Sequence, residues 1–224
     1  MVQSKFFIDK QFEQESWAYL KESEIFYNDC MKLIAEVKQR EFQKMGMDTV
    51  CLINGEVKTV DVKAMAGVLP TFSQELKNIT SGNIGWLLND ELKTDYYLFV
   101  YHLIEGGTGN YSRDKALLTR ENIKYTKAIL IEKEKILEII KESIGLNKEE
   151  LRELTQSIET EFKETGETKF QYKDNHLIPY KKGQETCYLC YFVVSKYIKE
   201  QPINCIVRRD ALEENALKVF EIKE

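Results

Sequence analysis

Proline is scarce in this chain, three residues in 224, and glycine contributes only eleven. That composition excludes collagen-like, low-complexity and coil-only chains, which depend on one or both residues. No uninterrupted apolar run approaches the roughly eighteen residues a membrane-crossing helix needs. The opening MVQSKFFIDK also lacks the apolar centre of a secretion signal. The expectation is a soluble, cytoplasmic protein with no membrane partner. Cysteine is sparse and odd in number, at Cys30, Cys51, Cys187, Cys190 and Cys205, which does not fit a disulfide framework and predicts reduced thiols. A basic excess is missing too. The net charge of -5 argues against a histone-like coat on nucleic acid, because affinity for phosphate rises with clustered Lys and Arg, but it leaves room for a local basic groove.

What is present is a chain 43% hydrophobic, long enough to bury a sizeable core without staples. No internal repeat and no Gly/Ser/Pro linker divides it, so one compact domain is expected. The first 45 residues read as helical. Phe26, Cys30, Leu33, Ile34 and Val37 fall on one face at helical spacing, and Gly46 suits a left-handed C-terminal cap. The run DTVCLI-NG-EVKTVDVKA predicts two strands around Asn54-Gly55, the dipeptide that best makes a two-residue hairpin turn. Pro70 to Leu76 predicts a short extended segment. Thr94 to Ile104, apolar on both faces, predicts a central buried strand. A strand over Lys124 to Ile131 follows, then a helix ending near Gly145 and a second helix opened by an Asn147–Glu150 capping box. The last third predicts strands at Thr168 to Tyr172, Thr186 to Val194 and Ile203 to Arg208, and a turn at Asp174-Asn175. A final helix, capped by Asp210 and Glu213, is expected to run through Phe220. The fold class is therefore mixed α/β.

The hairpin also carries the candidate chemistry. With Ile53 opposite Glu56, cross-strand partners have numbers summing to 109, and so do Asp48 and Asp61. Without a bulge, the two carboxylates face each other with Cβ atoms about 4.5–5.5 Å apart. Lys63, two residues beyond Asp61, points to the same face. The rest of that face is Val50, Leu52, Val57 and Thr59, so the charges sit at the open end of a mostly apolar surface. Facing carboxylates repel and need a cation, a shared proton or Lys63 to neutralise them. A hard divalent ion suits such a place, since it takes oxygen ligands and keeps waters and substrate phosphates around it.

Asp48, a short hairpin and then Asp61-Val62-Lys63 resemble the PD-(D/E)xK nuclease superfamily, with Met47 in place of the motif's proline. The helix expected before Gly46-Met47-Asp48 and the apolar strand after the hairpin match the order of that family's restriction-endonuclease-like core. The motifs span residues 38–104. The resemblance implies Mg²⁺, or Mn²⁺ in its place, held by Asp48, Asp61 and the backbone carbonyl of Val62. It also implies that Lys63 positions or helps deprotonate the attacking water and stabilises charge in the transition state. A further carboxylate from the first helix is common in such relatives, and Glu24, Glu36 and Glu41 are candidates here. Glu75 is a fourth catalytic candidate, able to reach the metal edge or orient a water.

Other signals are weaker. Cys187-Tyr-Leu-Cys190 has zinc spacing without a second ligand pair, and in a strand its cysteines would point to opposite faces, so core thiols are expected. His102 and His176 lack a triad partner motif and read as packed or solvated. Gly106-Gly107-Thr108-Gly109 lacks the Gly-Lys-Ser/Thr ending of a phosphate loop and reads as a surface turn. The alternating charges of residues 132–163 read as solvated faces of packing helices. Basic residues gather as Lys38, Arg40 and Lys44; as Arg113, Lys115, Arg120, Lys124 and Lys127, interleaved with Tyr111 and Tyr125; as Lys181 and Lys182; and as Arg208 and Arg209.

The sequence thus predicts one nuclease-like domain over residues 1–224, with a restriction-endonuclease-like motif core at about 24–131 and a C-terminal α/β extension at about 132–224. Its central sheet would be flanked by helices. The function expected is Mg²⁺-dependent hydrolysis of nucleic-acid phosphodiesters, with DNA as the partner; a homodimer would let one site per chain cut both strands. One alternative is a noncutting nuclease-fold protein that binds nucleic acid or serves as an accessory subunit. A second is an unrelated α/β protein whose acidic pair forms a solvated salt-bridged patch, worth little energetically.

Overall fold

The computed structural model describes residues 5–180 and 189–223. Its elements run α1 (Lys5–Glu22), β1 (Met31–Glu36), α2 (Arg40–Gln43), β2 (Thr49–Ile53), β3 (Glu56–Ala66), β4 (Thr71–Asn78), β5 (Tyr96–Ile104), α3 (Tyr111–Leu117) and β6 (Ile123–Glu132). They continue with α4 (Lys133–Ile144), α5 (Lys148–Thr165), β7 (Lys169–Lys173), β8 (His176–Pro179), β9 (Cys190–Val194), β10 (Pro202–Arg208), α6 (Arg209–Glu214) and β11 (Lys218–Lys223). The class is mixed α/β, as expected. Two compact units divide the chain, and each is built from separated stretches: Met1–Leu69, Lys93–Glu132 and Ala216–Glu224 in the first, Pro70–Leu92 and Lys133–Asn215 in the second.

The first unit is a six-stranded sheet in the order β1-β2-β3-β5-β6-β11. Asn54 and Gly55 both take positive φ, 48° and 86°, and close the β2–β3 hairpin with Ile53 opposite Glu56. The register holds without a bulge back to Thr49 opposite Val60, as the turn chemistry predicts. β5 runs parallel to β3, from Val60 beside Tyr96 to Ala66 beside His102, and antiparallel to β6. With a strand on either side, β5 buries every residue except Leu103, which explains its continuous apolar sequence. α1 contributes Leu20 to a core with Ile25, Phe26, Val60, Leu98 and Leu130. Each such side chain adds about 1.5–3 kcal/mol when removed from water.

Two expectations are corrected here. Residues 26–37 do not continue a helix. Asn28 ends the helical run: its Nδ2 donates to Ile25 O at 2.8 Å, while its Oδ1 accepts from Cys30 N and Met31 N at 2.8 and 3.0 Å. The chain reverses there and β1 pairs with β2, so backbone pairing overrides a helical spacing of apolar residues. The final helix stops at Glu214 instead of Phe220. Lys218 to Lys223 then pair with β6 in strand β11, which seats Phe220 in the core.

The second unit is an antiparallel sheet ordered β4-β10-β9-β7-β8. α5 opens with the expected capping box, Asn147 accepting from Glu149 N and Glu150 N and Glu150 returning to Asn147 N. It ends at Gly166, which adopts φ 73°. Leu151, Leu154 and Ile158 form its buried stripe, and the Lys77–Glu159 pair at 2.7 Å ties it to β4. The expected turn at Asp174-Asn175 joins β7 to β8, both residues in the left-handed region.

Candidate active site

Asp48 lies just before β2, where the ladder with β3 ends. Its N–H donates to Val60 O at 3.2 Å, and its side-chain Oδ2 accepts from the N–H of Val62 at 2.9 Å. In an extended strand the N–H and C=O of one residue point to the same side. The Val62 carbonyl therefore faces the Asp48 side of β3, while its isopropyl group packs on the core. Asp61 and Lys63 flank Val62 and share the opposite sheet face from it.

Asp61 is 1% exposed, which a solvated surface patch would not be. Lys63 Nζ lies 2.8 Å from its Oδ1, and the lysine side chain stays 36% exposed. The other oxygen, Oδ2, is sealed from solvent with no hydrogen-bond partner among the described residues. Burial pushes the Asp61 carboxyl up to about 7; Lys63 pulls it down, while the neighbouring Asp48 carboxylate pushes it higher. Burial works against the Lys63 ammonium, but Asp61, Asp48 and Glu13 outweigh it and raise its pKa, so Lys63 is a cation at neutral pH. Across the parallel register from Asp61 stands Tyr97, fully buried, its hydroxyl also without a partner among the described residues. Burial and then the Asp61 charge raise the Tyr97 pKa, which keeps it a neutral donor.

No family model, curated protein or solved structure matches the chain.

The hairpin therefore brings Asp48, Asp61, Val62 and Lys63 together, and the remaining candidates fall elsewhere. Glu75 sits half-buried on β4 of the second unit, opposite Asn204. Glu24 lies in a single 3₁₀ turn, Glu36 ends β1 with Lys21 at 3.5 Å, and Glu41 is exposed on α2. The acidic residue of the first helix whose charge reaches Lys63 is Glu13 on α1. It escaped the sequence because the helical reading centred on residues 26–37; the buried spacing of Phe12, Ser16, Tyr19 and Leu20 was the available signal. Among the described residues no three His, Cys, Asp or Glu side chains gather as a metal cage. Two carboxylates and a main-chain carbonyl, with one carboxylate oxygen lacking a donor, fit a hard cation that keeps most of its waters.

The other sequence signals resolve structurally. His102 is fully buried, its Nε2 2.8 Å from Ser16 Oγ and its Nδ1 2.8 Å from Thr126 Oγ1. His176 is exposed on β8. In the glycine-rich loop, Asp114 accepts from Thr108 N and Gly109 N at 2.8 Å, so those amides are not available to a phosphate. Cys190 is a buried free thiol, and Cys187 lies outside the described residues, as do Lys181 and Lys182.

Proposed function

We propose that the chain is a Mg²⁺-dependent nuclease of the PD-(D/E)xK kind, with a restriction-endonuclease-like first unit, hydrolysing phosphodiester bonds of DNA. The observation that carries this reading is the buried Asp61 oxygen that no donor among the described residues reaches, beside Asp48. Leaving a carboxylate oxygen desolvated and unpaired costs about 1–3 kcal/mol or more. A neutral residue would avoid that cost, so the arrangement suits a site completed by a cation. The hairpin and the apolar strand β5, parallel to β3, support the same assignment.

Asp48, Asp61 and the Val62 carbonyl are the residues that would hold the ion. When bound, Mg²⁺ would polarise the scissile phosphate and acidify a water. Asp48 is oriented by the Val62 N–H and Asp61 by Lys63, so neither carboxylate swings freely. Lys63, cationic and partly exposed, positions a water in line with the phosphorus and offsets negative charge developing on the phosphate oxygens. Glu13 adds an acidic charge close enough to tune Lys63.

The test is cleavage of a long mixed-sequence DNA, duplex and single-stranded, in Mg²⁺ or Mn²⁺. Wild type is expected to cut, and Asp61→Asn and Lys63→Ala to lose about 100-fold or more of the rate. Folded wild type that cuts nothing, or variants that cut like wild type, would refute the assignment. Binding without cutting would mark the noncutting nuclease-fold protein instead.

A further inference from the structure

Most cations that cluster in this sequence are already committed to carboxylates. Lys115 pairs with Asp9 at 2.8 Å and Arg120 with Glu22 at 2.8 Å. Lys124 lies 3.6 Å from Glu105, Lys127 3.0 Å from Glu221, and Arg209 2.9 Å from Glu213. Arg208 pairs with Asp210. The segment around α2 differs. Lys38, Arg40 and Lys44 are all exposed, and none makes an ion pair among the described residues.

The backbone holds this segment as a closed arm next to the carboxylates. Val37 N donates to Asp48 O at 2.8 Å, so the chain leaves and returns at the same point, with Lys38 the next residue after the one opposite Asp48. Gln43 Nε2 donates to Val37 O at 2.9 Å. Lys93 N donates to Met45 O and Thr94 Oγ1 to Gly46 O, both at 2.8 Å. Lys44 N bonds Arg40 O at 3.0 Å, which sets Arg40 and Lys44 one turn apart on one face. Glu41 is the opposing charge on the arm. Three cations close together, unneutralised and on a braced support repel one another and favour a polyanion with regularly spaced charges. Resting on the nuclease reading, we propose that Lys38, Arg40 and Lys44 hold the phosphates of the nucleic-acid backbone beside Asp48. This contact reads charge spacing and carries no base specificity.

The experiment measures binding of a fluorescein-labelled 20-mer duplex by anisotropy, in EDTA so that nothing is cut, from low to moderate salt. The triple variant Lys38→Ala, Arg40→Ala, Lys44→Ala is expected to bind at least 10-fold more weakly at low salt. Its slope of log affinity against log salt should be shallower by about 2.7. Glu41→Lys should tighten binding several-fold, a gain that misfolding cannot mimic. In Mg²⁺, wild type should hydrolyse bis-p-nitrophenyl phosphate, which has no flanking phosphates, as well as the duplex. Wild type that binds no duplex, or a triple variant with wild-type affinity and salt slope, overturns the proposal. Failure of the nuclease reading shows separately, as no metal-dependent hydrolysis of either substrate.

Discussion

Asp61 and His102 are both cut off from water, on β3 and β5, and they respond to pH in opposite directions. Burial lowers the His102 pKa to about 3, so the unfolded chain takes up a proton near pH 6.5 that the folded chain refuses. Its contribution is intact above that pH and is lost as pH falls from about 6.5 towards 3, on the order of a few kcal/mol. His102→Gln should therefore show a smaller loss of stability than wild type between pH 7 and 4.5, measured as urea midpoints. Asp61, raised to about 7, holds its proton in the folded state where the unfolded chain has released it, so its contribution declines as pH rises from about 4 through 7. At pH 8 without metal, Asp61→Asn should match or exceed wild-type stability, by about 1–3 kcal/mol. Added Mg²⁺ should raise the melting temperature of wild type and leave this variant unmoved. Tyr97→Phe, which removes an unpartnered hydroxyl from beside Asp61, should keep the fold and shift that Mg²⁺ response by a smaller amount. The pairing of Asp48, Asp61 and Lys63 was legible from numbering alone because a two-residue turn leaves only one register. Glu13 was not, since nothing in a single sequence says which helix will pack near a given strand end.

The hairpin shows which elements a sequence declares by itself. Asn54-Gly55 needs left-handed backbone at both positions, and few other dipeptides supply it. A β-carbon at Gly55 would meet nothing within 4 Å, so only its φ of 86° resists substitution. Gly55→Ala should therefore cost about 1–2 kcal/mol in chemical denaturation, without repacking. The α5 capping box is equally local, and Asn147→Ala should cost about 1 kcal/mol. β5 was legible because burial on both faces leaves an unbroken apolar run. β1 and β11 were not. Phe26, Cys30, Leu33, Ile34 and Val37 mimic a helical stripe, yet β1 forms because β2 offers an open edge and Asn28 supplies the turn. At the other end, α6 and β11 meet within a few residues, and pairing with β6 outweighs the helical signal of Asp210 and Glu213.

Across the whole molecule, the chain passes between its two units at Leu69-Pro70, Leu92-Lys93, Glu132-Lys133 and Asn215-Ala216. None of these junctions is rich in Gly or Ser, which is why composition showed no division. No helix among the described residues is long and apolar enough to cross a membrane. Removing residues 216–224 would strip Phe220 from the core and leave β6 as an open edge. Such a truncation should lose several kcal/mol and gain a tendency to aggregate, read by melting temperature and light scattering. β11 also has a temporal meaning. The strand that finishes the first unit follows the whole second unit in chain order, so the first sheet stays one strand short until residues 133–215 have been made. A newborn chain must hold its β6 border unsealed throughout the synthesis of the second unit, and slowed elongation across residues 133–215 would prolong that vulnerable interval.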